Sequence, residues 1–211
     1  DIHRSSLKYM LSPLASALAD FAAPGTPRLL FVTHAWGGGV EQHVTALTQL
    51  LRDRARVLIL RPEGTGSFRL QLADGTSIGL TADWDRLVAA LRGLNFERMH
   101  LHHVHGFPKA LLSLDLQLGL PVDITLHDYF AVCPQYQLVN ENGQYCGEPD
   151  DAGCTACLVK RPHAWDMGIA EWRGAFSTLL LRAARVFAPS ESVAQGIRRY
   201  VPTLNAIVVP H

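Results

Sequence analysis

Residues 28–44 read RLLFVTHAWGGGVEQHV: a run typical of a buried strand, a loop with three consecutive glycines, and the start of a helix. The helix is predicted over Val40–Arg52, because apolar residues from Val44 to Leu51 recur at the spacing of one helical face. A strand that runs through a tight loop into a helix is the first half of a βαβ unit. The sequence therefore predicts a parallel sheet, with a glycine loop at the carboxyl end of its first strand.

Strands and helices continue to alternate along the chain, as expected for further βαβ units. The predicted strands are Arg28–Thr33, Arg56–Leu60, Arg98–His103, Asp123–Leu126, Arg185–Ala188 and Ala206–Val209. The predicted helices between them are Trp84–Leu94, Lys109–Leu118, Ile169–Ala184 and Glu191–Tyr200, the last capped by Ser190 or Ser192. The Asp74-Gly75 pair predicts a hairpin, hence an antiparallel edge pair within Ser67–Leu80. We expect an α/β fold: a Rossmann-like, doubly wound, mostly parallel sheet with an irregular cysteine-rich insert at 129–165.

The composition is that of a globular protein, and it argues against a nucleic-acid-binding protein and against a membrane-spanning one. Nineteen lysine and arginine residues balance nineteen acidic ones, so no net field attracts nucleic acid. No uncharged apolar run reaches the roughly 18 residues of a membrane helix. Ser5–Phe21 is predicted to be an amphipathic helix rather than a signal peptide, since Lys8, Pro13 and Asp20 interrupt it. The expected location is cytoplasmic, with peripheral contact at the inner membrane face as a further option.

The three glycines at 37–39 let the backbone approach a ligand closely, and the helix that follows offers unpaired N–H groups to an anion. A dinucleotide fingerprint does not fit. Its third glycine falls on Gln42, and Arg61 stands near the position where an acidic residue would hold the ribose. The loop also lacks the Lys-Ser or Lys-Thr pair of a P-loop. NAD is therefore not expected, and a tight turn without any ligand is the alternative.

The segment Gly38-Gly39-x-Glu41 resembles the G-G-x-E loop of family-4 glycosyltransferases. In that family the loop lies in the interdomain cleft, near the diphosphate of the donor. The resemblance implies that Gly37, Gly38, Gly39 and Glu41 form the donor-diphosphate side of a cleft. Glu41 also has a simpler role, as a favourable negative charge in the first turn of a helix.

Four histidines, His100, His102, His103 and His105, lie on and after one predicted strand. Alternate residues of a strand share a face, so His103 and His105 should point together, opposite to His100 and His102. A single metal site that uses all four is therefore not expected, and histidines without a metal are preferred. The H-V-H segment that ends at His105 resembles the H-x-H segment beside the acceptor in family-4 enzymes, which assigns His105 to the acceptor side.

The sequence Thr125-Leu126-His127-Asp128 resembles the T-x-H-D strand end of the same family, whose histidine lies near the transferred sugar. A neutral histidine can hydrogen-bond a sugar hydroxyl, and Asp128 can orient the ring or accept a hydrogen bond from the acceptor. The resemblance makes His127 and Asp128 the candidate catalytic residues, with Tyr129 on the acceptor side. Without the resemblance, a polar strand-end pair that caps a neighbouring turn is the simpler interpretation.

Four cysteines are confined to one segment, with the spacing C-x12-C-x7-C-x2-C: Cys133, Cys146, Cys154 and Cys157. In a chain without a secretion signal this pattern favours structural zinc held by four thiolates. A disulfide, free thiols or an iron–sulfur cluster are the alternatives. A zinc site with four cysteine ligands leaves no open position for catalysis and would fix the loop beside His127. The run from Asp128 through Cys133 to the C-x-x-C resembles a subset of family-4 enzymes that carry such an insert.

The resemblance covers roughly residues 28–211 and implies one half of a GT-B glycosyltransferase. Residues 1–211 are then a single N-terminal, acceptor-side domain, and a C-terminal donor-binding domain is expected outside them. The implied activity is retaining transfer, of the hexosyltransferase type, from a nucleoside-diphosphate sugar to a saccharide or lipid-linked acceptor in surface polysaccharide assembly. No catalytic metal is implied, nucleic acid is not an expected partner, and these residues alone are expected to be inactive.

Two other classes of function fit parts of the sequence. A non-enzymatic Rossmann-like domain could bind a sugar or nucleotide in the same cleft. A metal-dependent hydrolase or redox protein could use the cysteines and histidines, but the sequence lacks H-E-x-x-H, G-x-S-x-G and a carboxylate cluster. Cys154 and Cys157 are also expected in an irregular stretch, whereas a redox-active C-x-x-C usually follows a strand and opens a helix. The transferase is the preferred function.

Overall fold

The protein is built on one eight-stranded sheet, as seen in a computed structural model that describes residues 21, 25–64, 66–80 and 83–210. The strands are β1 (Arg28–Val32), β2 (Arg56–Glu63), β3 (Ser67–Leu72), β4 (Ser77–Leu80), β5 (Arg98–Leu101), β6 (Val122–Thr125), β7 (Arg185–Ala188) and β8 (Ala206–Val208). Their spatial order is β4-β3-β2-β1-β5-β6-β7-β8. The pairs β2–β3 and β3–β4 are antiparallel, and the other five are parallel. The predicted α/β fold is confirmed, and so is the antiparallel edge pair.

The α-helices of the described residues are α1 (Gly39–Leu51), α2 (Trp84–Gly93), α3 (Leu114–Leu118), α4 (Asp151–Lys160), α5 (Ile169–Arg182) and α6 (Glu191–Arg198). Ser190 caps α6, because its side chain accepts the N–H of Val193, which confirms one of the two predicted caps. Strands β1, β5 and β6 are parallel neighbours, so the residues that follow them meet at one edge of the sheet. That edge carries the glycine loop and both histidine-rich strand ends.

Apolar side chains cover both faces of the sheet, as the long apolar strand runs predict. One face packs on α1 through Phe31, Val57 and Ile59, which contact Val44 of the helix. The opposite face belongs to a larger core that includes Leu30, Val32, Leu58, Leu60, Leu101, Trp172 and Phe176. Each fully buried large apolar side chain contributes about 1.5–3 kcal/mol. The strand ends that carry the candidate site are therefore held by core packing on both sides.

Two sequence-based predictions differ from the structure. The helix predicted over Lys109–Leu118 is a 3-10 turn at Lys109–Ser113 followed by the short helix α3, which stops at Gly119 in the left-handed conformation. The insert at 129–165 is not irregular throughout, because it contains α4, capped by the side chain of Asp150. None of the residues of α4 is buried, so no apolar stripe marks this helix in the sequence.

The helix expected at Ser5–Phe21 lies outside the described residues, apart from Phe21 itself. The Phe21 ring is buried and contacts Phe96 edge-on, with 5.6 Å between the ring centroids. Among the described residues, none of the helices has the length and apolar character needed to cross a membrane.

Candidate active site

Gly38 gives the glycine loop its shape. Its φ of +90° lies in the region that glycine adopts far more easily than other residues. The carbonyl of Gly38 accepts the N–H of Gln42 at 3.1 Å, and α1 begins at Gly39. Apart from sequence neighbours and the backbone of α1, no heavy atom of the described residues lies within 4 Å of the Cβ positions of Gly37, Gly38 or Gly39, so this backbone faces open space. An anion can therefore reach the N–H groups at the start of α1.

Arg61, near the end of β2, ties this loop to the sheet. Its buried guanidinium lies 2.7 Å from a carboxylate oxygen of Glu41 and donates to the backbone carbonyl of His34 at 2.8 Å. Its Nε donates to Gln71 on β3 at 2.9 Å. Glu41 lies in the first turn of α1, as predicted, and this guanidinium is an additional partner. The sequence analysis missed Arg61, although an arginine inside a buried strand run indicates a nearby partner.

An exposed aromatic ring marks the mouth of the cleft. The side chain of Trp36 is 52% exposed, and its ring contacts His105 with 3.9 Å between the centroids. The backbone N–H of Trp36 donates to Nδ1 of His34 at 3.0 Å, which holds the loop against the histidine. We call Trp36 and His105 the aromatic platform. The two ring planes are inclined by 43°, and the exposed face of Trp36 can pack on the apolar face of a ring-shaped ligand.

Burial lowers the pKa values of three histidines in this part of the sheet: His34, His100 and His105. Burial, followed by the nearby charges of His103 and His105, lowers the pKa of His34 to about 4. Burial and then His103 also lower the pKa of His105. Burial lowers the pKa of His100 to about 4. At neutral pH these rings carry no charge and can both donate and accept hydrogen bonds.

Asp128 faces His103, on the neighbouring strand end. Its Oδ2 lies 3.2 Å from Nε2 of His103, and its Oδ1 accepts the N–H of Phe130 at 2.8 Å. Nδ1 of His103 accepts the N–H of His105 at 3.1 Å, so the ring proton sits on Nε2 and is donated to Asp128. The T-x-H-D pattern located Asp128, whereas the role of His103 as its partner was not predicted.

His127 belongs to a second cluster, with His102 and His43. Nδ1 of His102 lies 3.3 Å from Nε2 of His127, and the ring of His43 on α1 lies 5.0 Å from that of His127. Among the described residues, these form the one group of three histidine, cysteine or acidic side chains whose ligand atoms all lie within 4.8 Å of one another. As strand alternation predicted, His102 and His103 enter different clusters.

A cavity of about 230 Å³ opens beside His105. Its lining includes His105, Phe130, Tyr136, His163, Trp165 and Trp172. The two tryptophans are fixed through their indole N–H groups, which donate to the carbonyls of Phe107 at 2.7 Å and Phe130 at 2.8 Å. An aromatic cavity with fixed walls, next to polar strand ends, is the usual form of a small-molecule site.

Tyr129 connects the cleft to the cysteine segment. Its ring packs so closely on Gly196 of α6 that a Cβ there would lie 2.7 Å from a ring carbon. Its backbone carbonyl accepts the N–H groups of Val132 and Cys133, at 3.0 and 2.9 Å. The strand end that carries His127 is thereby linked through the backbone to the first cysteine.

The four cysteines form no disulfide with one another and line one small cavity of about 30 Å³: Cys133, Cys146, Cys154 and Cys157. The expected irregular stretch around the C-x-x-C is wrong, because Cys154 and Cys157 lie in the first two turns of α4, on one face of the helix. The segment before α4 is not a strand, so the motif meets only one condition of a redox site. Arg173 donates to Sγ of Cys154 at 3.3 Å, and burial raises the pKa of Cys133 to about 11.

Most of the sequence matches the model of a known protein family. Residues 37–211 match the family model for Glycosyltransferase Family 4, from the glycine loop through both histidine-rich strand ends and the four cysteines. No curated protein matches the chain. The matched stretch covers most of the 211 residues, and its sheet is the expected Rossmann-like half of a GT-B fold. The chain belongs to Glycosyltransferase Family 4.

Proposed function

We propose that this protein forms the acceptor side of a retaining glycosyltransferase, which moves a sugar from a nucleoside-diphosphate sugar to an acceptor hydroxyl. The observation that carries the proposal is the meeting of three features at one sheet edge: the glycine loop, the aromatic platform and the His127 strand end. Ligands of open α/β sheets bind at this edge, beyond the carboxyl ends of the strands. Family membership supports glycosyl transfer in general.

The glycine loop acts on the leaving group. As the bond between the anomeric carbon and the donor diphosphate breaks, negative charge develops on the diphosphate. The open backbone at Gly37, Gly38 and Gly39, followed by the positive end of α1, supports this assignment. The nucleotide itself binds mainly to a second domain, outside residues 1–211.

His127 holds the sugar that is transferred. A neutral imidazole can hydrogen-bond a sugar hydroxyl without a change of charge during the reaction. The acceptor oxygen bonds to the anomeric carbon on the face from which the diphosphate leaves, as the bond from that carbon to the diphosphate breaks, and the acceptor proton passes to the carboxylate of Asp128. Retention of configuration follows from this shared face. Fixing both reactants in one geometry is the main contribution of such a cleft.

The acceptor enters from the other side of the cleft, over the aromatic platform. The 230 Å³ cavity beside His105 is large enough for part of a saccharide, and its tryptophan and phenylalanine walls suit the apolar faces of sugar rings. Asp128 accepts a hydrogen bond from the attacking hydroxyl through a lone pair that neither His103 nor the N–H of Phe130 uses. The proposed substrate is a saccharide or lipid-linked acceptor in the assembly of surface polysaccharides.

We also propose that the four cysteines hold a structural zinc ion. All four line one cavity, two are presented by a single helix face, and the guanidinium of Arg173 already donates to one sulfur. Binding would draw the sulfurs together and release their protons. The ion would fix the segment that continues from His127, through the backbone contact of Tyr129 with Cys133.

The experiment that tests the transferase is release of nucleoside diphosphate by the complete gene product, with a panel of UDP-, GDP- and ADP-sugars and a mixed acceptor extract. His127→Ala is compared with Gln195→Ala, a change at an exposed position on α6. Release that depends on acceptor, is kept in Gln195→Ala and is lost in His127→Ala supports the proposal.

Absence of release with every donor, from a protein that still binds a nucleotide sugar in equilibrium dialysis, would replace the transferase by a sugar- or nucleotide-binding domain. Residues 1–211 alone, assayed in parallel, are expected to release no nucleotide. Transfer by those residues alone would show that donor binding does not need a second domain.

A further inference from the structure

We infer that the acceptor unit bound in the cavity beside His105 is a neutral sugar, and that Gln135 and His163 select it through hydrogen bonds. This assignment rests on the proposed transferase, whose acceptor side the cavity forms, and it names the chemical class of the acceptor. Among the residues that the structure describes, the lining of the cavity contains no lysine, arginine, aspartate or glutamate. Its polar side chains are His105, Gln135, Tyr136 and His163.

His163 contributes a hydrogen-bond acceptor. Its Nε2 lies 3.0 Å from the backbone carbonyl oxygen of Met167, which can only accept, so Nε2 carries the ring proton. Nδ1 of the neutral ring is then left with a lone pair, and this buried atom has no hydrogen-bond partner among the described residues. The ring also meets Trp172 edge to face, with 4.9 Å between the centroids, which restricts its orientation. A ligand O–H or N–H that donates to Nδ1 would remove the penalty for an unpaired buried acceptor.

Gln135 contributes a second acceptor. Its Nε2 donates to the backbone carbonyl of Arg161 at 2.8 Å, which directs the amide nitrogen to that loop and leaves the amide oxygen for a ligand. Sugar hydroxyls can donate to both Gln135 and His163. A carboxylate carries no proton at neutral pH, so at both positions it would place an acceptor against an acceptor. The two side chains therefore favour hydroxyl groups over a uronic acid.

The charges at the mouth of the cavity also disfavour an anion. Burial, followed by His103, lowers the pKa of His105, so this ring supplies no positive charge at neutral pH. Asp128 lies close enough to His105 to act on it electrostatically, and its negative charge would repel the carboxylate of a ligand.

The two arginines beside the lining are engaged elsewhere. Arg161 donates to the backbone carbonyl of Val139, and the guanidinium of Arg173 lies 2.6 Å from a carboxylate oxygen of Asp151. Neither arginine is part of the cavity wall. A carboxylate that entered the cavity would therefore lose water without gaining a cationic partner from its lining, which is costly.

The test compares nucleoside-diphosphate release by the complete gene product with an acceptor extract before and after its carboxyl groups are reduced. Carbodiimide activation followed by borohydride converts uronic acids into neutral sugars and leaves the phosphate groups of lipid-linked acceptors in place. Extract treated with borohydride alone is the control, because free aldehyde ends are reduced in both samples. We expect release after carboxyl reduction to equal or exceed that of the control. Release that falls below the control overturns the inference, since recognition then needs a carboxylate.

Two variants test the selecting side chains. Gln135→Met removes the amide oxygen, and His163→Phe keeps a ring without a lone pair. Each should raise the KM for the acceptor about five-fold, the effect of one typical hydrogen bond between neutral groups, with little change in kcat. Gln195→Ala on α6 should keep both constants, and far-UV circular dichroism checks that all three variants are folded. An unchanged KM in either cavity variant overturns the role of that side chain.

Failure of this inference is distinguishable from failure of the proposed function. Absence of release with every donor and every acceptor extract removes the transferase itself, and the acceptor assignment with it. Release that is present but is lost on carboxyl reduction leaves the transferase in place and overturns only the neutral acceptor.

Discussion

The guanidinium of Arg61 on β2 lies 2.7 Å from the carboxylate of Glu41 on α1, and joins the sheet to the helix that begins in the glycine loop. The side chain of Arg61 is 4% exposed and that of Glu41 is 36% exposed. The pair is therefore screened by water on one side only. Because Arg61 also donates to the carbonyl of His34, both ends of the loop depend on one side chain.

Replacement of Arg61 by Met should lower the free energy of unfolding by about 2–3 kcal/mol, because several hydrogen bonds are lost and a backbone carbonyl is left without its donor. Glu41→Gln should cost about 1 kcal/mol, since the amide keeps one acceptor for the guanidinium. Urea unfolding of both variants and the double variant measures their coupling, which we expect to be about 1 kcal/mol. Strictly additive effects would mean that the pair does not hold the loop.

The conformation of Gly38 should be essential to the loop, whereas its neighbour tolerates change. Gly38→Ala places a Cβ at a φ of +90° and should cost about 1–2 kcal/mol, together with a loss of nucleoside-diphosphate release. Gly39→Ala is the matched control, because Gly39 opens α1 with open space around its Cβ position. Its stability should stay equal or rise slightly. If both variants lose the same stability and the same nucleoside-diphosphate release, the loop requires residues without side chains, and the positive φ of Gly38 is not the cause.

The sequence predicted the parts of this fold that depend on local pattern. Apolar runs such as Arg28–Thr33 identify buried strands, and the Asp74-Gly75 pair identifies the hairpin. His105 and His127 each follow a predicted parallel strand. Because the carboxyl ends of parallel strands lie at the same edge of a sheet, the sequence predicted that both histidines lie at that edge. α4 could not be found in this way, since its cysteines face a small cavity and no residue of the helix is buried.

Contacts between distant residues set the limit of sequence analysis at the candidate site. His43 and His127 are 84 positions apart, and only the packing of α1 on the sheet, against Phe31 of β1 and Ile59 of β2, brings their rings to 5.0 Å. The contact between Asp128 and His103 could not be predicted either. Alternation along a strand predicts on which face of the sheet His103 lies, but not which residue of another strand end contacts it. In the sequence, Arg61 served only as evidence against NAD binding, and its contacts with Glu41 and His34 were not predicted.

Stability should fall as the pH drops from about 6.5 to about 4. In that window an unfolded histidine binds a proton, whereas folded His34, with its pKa lowered to about 4, does not. Above pH 6.5 the ring is neutral in both states, and below about 4 it is protonated in both, so the dependence is confined to the window. The titratable groups that act on His34 are His103, His105, Arg61 and Asp128.

The measurement is the urea midpoint at pH 7 and pH 5, for the unchanged protein and for His34→Gln. The drop between the two pH values should be smaller in the variant. It should not vanish, because burial also lowers the pKa of His100 to about 4. An identical drop in both proteins would show that His34 titrates alike in the folded and unfolded states.

Removal of one cysteine should reveal the structural role of the proposed zinc ion. Cys157→Ser should remove the sulfur charge-transfer band of the protein loaded with Co²⁺ and lower the melting temperature of the protein loaded with zinc, because a folded chain that loses its metal loses the binding free energy. Thr155→Ser, on the same helix, is the control and should retain both properties. A melting temperature that is independent of zinc and of Cys157 would favour free thiols.

Asp128 should act on the reaction rather than on binding. One of its oxygens accepts from the N–H of Phe130 and the other from Nε2 of His103. Asp128→Asn retains a single oxygen, so its NH₂ group must face one of these two donors. If Asp128 also accepts the hydrogen bond of the attacking hydroxyl, kcat should fall by about 100-fold while the KM for the donor changes little.

His103→Gln separates the two roles of this pair. A glutamine amide can still donate to Asp128, but it cannot reproduce the ring nitrogen that accepts the N–H of His105. We therefore expect His103→Gln to lose stability and to lose less kcat than Asp128→Asn does. Steady-state kinetics with saturating donor and varied acceptor give both constants. If the two variants lose kcat equally, Asp128 serves only to position His103, and the acceptor hydroxyl must be held by another group in the cleft.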